Sequence, residues 1–266
     1  MDKISNSVIM GAAICAVAAC VLPIALLVWY RIKTKCKLMP ALVGAIIFVI
    51  FALVLEGIPK YIFFAGTNEV SEYVLSHAWA YTLIGCLFAG IFEEVGRYTA
   101  FRVFLRKHTD KKTAIMYGIG HGGMEAILIV GFTMFSAISL AVVVNGGGLD
   151  TITAGYSNEQ LTALQTQIDA IAGYNTGYFA ATILERIIAI VLHISLSVLV
   201  FIAVHGKGKG IWLLYAIALH AVFDIPAALY QCKVLSLPVC EGVLIVLALI
   251  IACISIKAYK GFRVRN

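Results

Sequence analysis

The feature that most constrains this chain is the recurrence, from one end to the other, of apolar runs about 20 residues long separated by short polar stretches. A helix rising 1.5 Å per residue needs about that length to cross some 30 Å of hydrocarbon. Inside lipid the backbone must satisfy its own hydrogen bonds, so each run is read as a helix. Composition agrees: 62% of the 266 residues are hydrophobic and 13% charged, where a soluble domain carries about 25% charged residues. A water-soluble fold of this length could not hide so much apolar surface. The expected fold class is all-α, a polytopic transmembrane bundle of about seven helices, with six to eight compatible with the pattern.

The first span, about Ser7 to Tyr30, exceeds a signal-peptide core and is followed by Arg31, Lys33, Lys35 and Lys37, so it is read as retained. The second, about Pro40 to Ala65, carries Glu56 and a Gly57-Ile58-Pro59 break that predicts a kink or a helix end. A polar loop with Glu69 and Glu72 should follow. The remaining spans run from about Ala78 to Leu105, Thr113 to Val144, Gly177 to Val204, Ile211 to Tyr230 and Pro238 to Ile256. The second or the fourth could be a broken pair. Between the fourth and fifth, the Ser157-Asn158-Glu159-Gln160 start and the spacing of Leu161, Leu164, Ile168 and Ile171 predict a short amphipathic helix near 158–172 at the outer surface. No repeat is visible, and residues 1–266 are read as a single integral membrane domain.

The net charge of +6 does not point to nucleic acid, because about 14 of the 20 Lys and Arg residues fall in alternate loops and the C-terminal tail, the latter with Lys257, Lys260, Arg263 and Arg265. That bias predicts an N-terminus outside and a C-terminus in the cytoplasm. Most of the seven cysteines lie in apolar runs as small hydrophobes. Cys232 and Cys240 flank one short loop and would pair only if that loop faced an oxidising exterior.

Ionisable residues interrupt the apolar runs at Glu93, Glu94 and Arg97, at His121 and Glu125, at Glu185, Arg186 and His193, and at His220 and Asp224. A charge at the centre of a membrane helix costs about 2.5–3.5 kcal/mol, so such groups pair or work. The pairs Glu93/Arg97, His121/Glu125 and His220/Asp224 have i,i+4 spacing and should share a helix face. Glu93, His121, His193 and His220 lie about 12 to 20 Å from the cytoplasmic ends of their helices, so four helices bring polar groups to one level. Glu185 and Arg186, nearer the outer end, are read as structural support, and Glu56 and His77 as solvated.

Two kinds of chemistry suit carboxylates and imidazoles at one depth. A glutamate can take a proton from water while a histidine steadies the developing oxyanion. Alternatively, histidines such as His121, His193 and His220 can hold zinc with one open position. Glu93 is favoured over Glu94 as the base because the spacing puts it on one face with Arg97. The same groups could also form the relay of an ion-coupled or metal transporter, although such carriers usually show a repeated half.

The motifs Glu93-Glu94-Val95-Gly96-Arg97-Tyr98, Gly120-His121-Gly122-Gly123-Met124-Glu125-Ala126, Glu185-Arg186 with His193, and His220-Ala221-Val222-Phe223-Asp224 resemble the YhfC-type intramembrane proteases. That family resembles a branch of the superfamily of CAAX prenyl endopeptidases and bacteriocin-immunity proteins. The resemblance implies an intramembrane endopeptidase of glutamate or metallo type in a bacterial plasma membrane. Its catalytic candidates are Glu93, Glu94, His121, His193, His220 and Asp224, supported by Arg97, Glu125 and Arg186. The implied partners are membrane lipid and a membrane-associated peptide or protein substrate. Two residues rather than three separate Glu94 from Arg97, and Asp224 stands where the superfamily often has Asn. Tyr117, four residues before His121, fits the superfamily's aromatic-to-histidine step, for which His193 is a rival.

Overall fold

A computed structural model describes residues 3–262; Arg263 and Arg265 of the basic tail lie outside the described residues. Among the described residues the chain is helical with no strand, and seven stretches are long and apolar enough to cross a membrane. These are Asn6–Thr34, Met39–Phe64, Ala78–Phe104, Lys112–Asn145, Thr176–His205, Ile211–Gln231 and Leu237–Gly261. Their faces carry rows of exposed apolar side chains, as on the first span at Met10, Ile14, Val17, Val21, Ile24 and Val28. In water such rows would form a large apolar patch; against lipid tails they match the solvent.

Three spans are interrupted by π-helical turns. The second consists of α2 (Met39–Phe48), a π turn over Val49–Leu55, and α3 (Gly57–Phe64). The Glu56 amide donates to the Phe51 carbonyl five residues back at 2.9 Å, so the break falls one residue before Gly57-Ile58-Pro59. The segment expected as a polar loop instead forms α4 (Glu69–Ser76), whose N-terminus is closed by a reciprocal Asn68/Ser71 capping box. The third span joins α5 (Ala78–Thr99) to a π turn, Ala100–Phe104. The fourth joins α6 (Lys112–Glu125) through a π turn, Ala126–Gly131, to α7 (Phe132–Asn145). Such turns widen the helix by one residue and frequently border functional residues.

The chain divides into two compact units. The first comprises Met1–Leu22 and Ala126–Arg186. Its core joins Val8, Cys15 and Ala19 to Met134 and Ala137 and to Ile168, Ile171 and Phe179. After the short α8 (Leu149–Ile152), α9 (Asn158–Ala172) is the predicted amphipathic helix, opened by a Ser157/Gln160 capping box and burying Ile168 and Ile171. Asn145 both accepts from the Ile4 amide and donates to the Ile4 carbonyl at 2.9 Å.

The second unit comprises Pro23–Glu125 and Ile187–Asn266. It holds the later part of α10 (Thr176–His205) with α11 (Ile211–Gln231) and α12 (Leu237–Gly261). Leu192, Leu196, Leu199, Val200 and Phe201 of α10 pack against Phe101, Tyr117, Ala216 and Leu244. The glycines of α6 let backbones meet it on three sides: Gly118 faces Ile194 of α10, Gly120 faces Ala41 of α2, and Gly123 faces Pro23. Glu56, read from the sequence as solvated, is 1% exposed and paired with Lys60 at 2.6 Å; the π turn rotates it off the surface. His77 is exposed as expected.

Candidate active site

All ionisable residues of α5, α6 and α11 singled out above lie in the second unit, together with His193. Glu93, Glu94, Arg97, His121, His193 and His220 are all buried. They converge on one atom. Glu93 Oε2 is 2.9 Å from His121 Nε2, 3.8 Å from His193 Nδ1 and 4.0 Å from His220 Nε2. The imidazole centroids of His121 and His193 stand 4.9 Å apart, and those of His193 and His220 5.5 Å.

Outer partners aim the rings. Tyr117, one turn back on α6, brings its hydroxyl 3.5 Å from His121 Nδ1, and Phe48 of α2 meets the same imidazole edge-on at 5.3 Å. Arg97 donates through Nη2 to His193 Nδ1 at 3.0 Å. The other nitrogen of His193, Nε2, meets Glu125. Glu94 Oε1 takes both Arg97 Nη1 and the Nδ1–H of His220, the latter at 2.7 Å. With Nδ1–H donating to Glu94, His220 turns Nε2 toward the carboxylates of Glu93, 4.0 Å away, and of Asp224, whose Oδ2 is 3.6 Å away.

Two pairings differ from those the spacing suggested. Arg97 pairs with Glu94 at i,i+3 rather than with Glu93 at i,i+4, since the side chain of Glu93 turns to the histidines. Glu125, expected to share a face with His121, reaches His193 instead. The first pair stays within α5, whereas the second crosses to α10, whose His193 ring offers Glu125 a partner in place of the residue one turn away. Glu185 and Arg186 belong to the first unit and pair with each other on α10.

A cavity of about 560 Å³ adjoins this cluster at Glu125 and Asp224. Glu125 and Asp224 line it beside the buried histidines, Phe64, Leu75 and Ala227 supply apolar wall, and Lys60, Tyr81 and Gln231 line it farther along. The Tyr81 hydroxyl donates to Gln231 Oε1 at 2.8 Å and ties the start of α5 to the end of α11. Side-chain exposure grades from 10% for Glu93 through 16% for Glu125 to 31% for Asp224. The carboxylates thus form a path from the cavity inward. Nothing in the local sequence pattern marks this cavity, because its walls are small and apolar residues of ordinary membrane helices.

A family model described as "YhfC intramembrane metalloprotease" matches residues 18–245. The chain belongs to the YhfC family. It is 37% identical over 229 residues to the "Uncharacterized membrane protein YhfC" of Bacillus subtilis (strain 168), covering 86% of this chain and 87% of that protein. No solved structure matches. Membership of YhfC and seven apolar helices make this an integral, multi-pass membrane protein.

The metal named in the family description was tested against the residues present. One donor atom from each of Glu93, His121 and His193 falls within 4.8 Å of the other two. Two imidazoles and a carboxylate are a donor set that zinc accepts. The rings also carry the outer contacts that orient metal-binding histidines, Tyr117 on His121 and Glu125 on His193. The donors fit. Relative to the three-histidine set read from the sequence, the tight group contains Glu93, and His220 stands 4.0 Å from that carboxylate.

Proposed function

We propose that this chain is an intramembrane endopeptidase that hydrolyses a peptide bond of a membrane-associated substrate with a water activated beside Glu93. The observation that carries this reading is the convergence of three imidazoles on one buried glutamate oxygen, at 2.9, 3.8 and 4.0 Å, next to a cavity of about 560 Å³ lined by Glu125 and Asp224.

Glu93, His121 and His193 would hold the metal, which when bound supplies a hydroxide-like water at neutral pH and polarises the substrate carbonyl. The chain's own residues do the rest. Asp224, open to the cavity, takes a proton from the attacking water and passes it to the leaving amine. His220, fixed by Glu94 through Nδ1, keeps the Asp224 carboxylate in place from 3.6 Å. Glu125 holds His193, and Arg97 neutralises Glu94, so that the rings keep one orientation through the cycle. The apolar walls of the cavity exclude bulk water around the scissile bond and suit the side chains of a membrane-embedded peptide.

The test compares membrane-protein N-termini, mapped by mass spectrometry, in cells carrying the wild type or Glu93→Gln at equal abundance. New N-termini present only with the wild type, and reproduced by the purified protein on the matching peptide, are the expected result. Identical N-termini in both strains would overturn the reading.

A further inference from the structure

At the ends of the first four spans lies a second, differently built cavity of about 340 Å³. It is lined by the loop after α1 and the loop before α6, with Lys35, Lys37, Lys107, Lys112, His108 and Asp110 contributing. Four lysines thus line one half-open hollow with a single carboxylate, and the Lys112 ammonium donates to the Thr34 carbonyl at 3.3 Å. That carboxylate is already engaged, since Asp110 Oδ1 accepts from the Lys112 amide at 2.9 Å and caps α6.

The usual bias of lysine toward one membrane face explains why these loops are basic. It does not explain why two loops distant in sequence fold their lysines around a common hollow, because dispersed charges would serve that bias equally and repel one another less. Two further observations point to a ligand. His108 Nδ1 is shielded from solvent yet has no hydrogen-bond partner. Lys35 holds a left-handed backbone, φ 56°, at a helix end where glycine would be relaxed. That turn is pinned by Arg31, which donates to the carbonyls of Lys35 and Cys36, so the backbone is held in this turn at the rim of the cavity.

We infer that this cavity binds a phosphate group. Lys35, Lys37, Lys107 and Lys112 supply the charge and His108 a hydrogen bond to a phosphate oxygen. Thr34 ends the first span and Pro40 and Thr113 open the second and fourth, so the cavity sits at the depth of lipid headgroups. An anionic phospholipid is therefore the source the geometry favours, a free phosphate compound the other source of the same chemistry.

The experiment uses the full chain in neutral detergent. Retention of phosphatidylglycerol and of phosphatidylcholine is measured by native mass spectrometry, with and without millimolar inorganic pyrophosphate. Wild type should retain phosphatidylglycerol selectively. Lys35→Gln/Lys107→Gln should lose about tenfold or more in that affinity, while Lys35→Arg/Lys107→Arg keeps it. Lys207→Gln/Lys209→Gln, which removes equal charge from another loop, should change it little. Displacement of the lipid by pyrophosphate, or pyrophosphate binding alone, would assign the site to free phosphate; retention in its presence assigns it to lipid. No preference for phosphatidylglycerol together with no pyrophosphate binding, or an equal loss in the Lys207/Lys209 control, would overturn the inference.

Discussion

Glu94 of α5 and His220 of α11 are joined, Oε1 to Nδ1, at 2.7 Å, and neither is open to solvent. That contact decides which nitrogen of His220 faces the cluster, while the same oxygen compensates Arg97, a guanidinium that is 0% exposed. Removing one partner of a buried ion pair leaves a stranded charge and typically costs about 3–5 kcal/mol. Glu94→Gln should therefore lower the thermal unfolding midpoint strongly in detergent and abolish activity with it. A variant as stable as wild type would show that Arg97 finds its compensation elsewhere.

Glu93 should behave differently from its neighbour. Its side chain, 10% exposed, sits at the centre of the cluster without a compensated guanidinium of its own, and its amide analogue can still pair with His121. Compared metal-free, Glu93→Gln is expected to unfold close to the wild-type temperature, and with metal supplied to lose at least a hundredfold in peptide cleavage. Unfolding curves and a cleavage assay on one preparation separate the two glutamates. If both variants are equally unstable, the division of labour between them is wrong.

Metal content is predicted from the same geometry. Protein purified without chelators should carry about one zinc per chain, lost in Glu93→Gln and in His121→Ala. Glu125→Gln, which alters the group orienting His193 Nε2, should weaken metal affinity about 10- to 100-fold. Elemental mass spectrometry across a chelator titration reads all three. Full occupancy in His121→Ala would remove that histidine from the ligand set.

The companionship of these residues was legible in the sequence, because charges in apolar runs are costly enough to announce themselves. Seven spans followed from run length, and α9 from its capping signal and spacing. The pairings inside the cluster were not legible. The i,i+4 rule describes an isolated helix, whereas Arg97 chose Glu94 and Glu125 chose His193 because partners on other helices fix the rotamers. Glu56 was misread for a related reason: a π turn shifts every following side chain by about a hundred degrees, and no residue pattern over Val49–Leu55 marks it. The Asn68/Ser71 cap of α4 could have been seen, since both residues stand at the required spacing.

The packing of α6 gives a last prediction. A Cβ built on Gly118 would lie 2.5 Å from the Cα of Ile194 and 2.9 Å from the carbonyl oxygen of His193. Neither backbone atom can yield without moving α10, the helix that aims His193 at Glu93. Gly118→Ala should thus cost roughly 1–3 kcal/mol through overpacking and also weaken metal binding and cleavage, although it touches no side chain of the cluster. Gly242→Ala on α12, where an added Cβ meets nothing within 4 Å, is the matched control and should leave both unchanged. The two variants, followed by unfolding temperature and metal affinity, ask whether the glycines of α6 serve the site through helix approach. Equal, small effects in both would mean that α10 can retreat from α6 without disturbing His193.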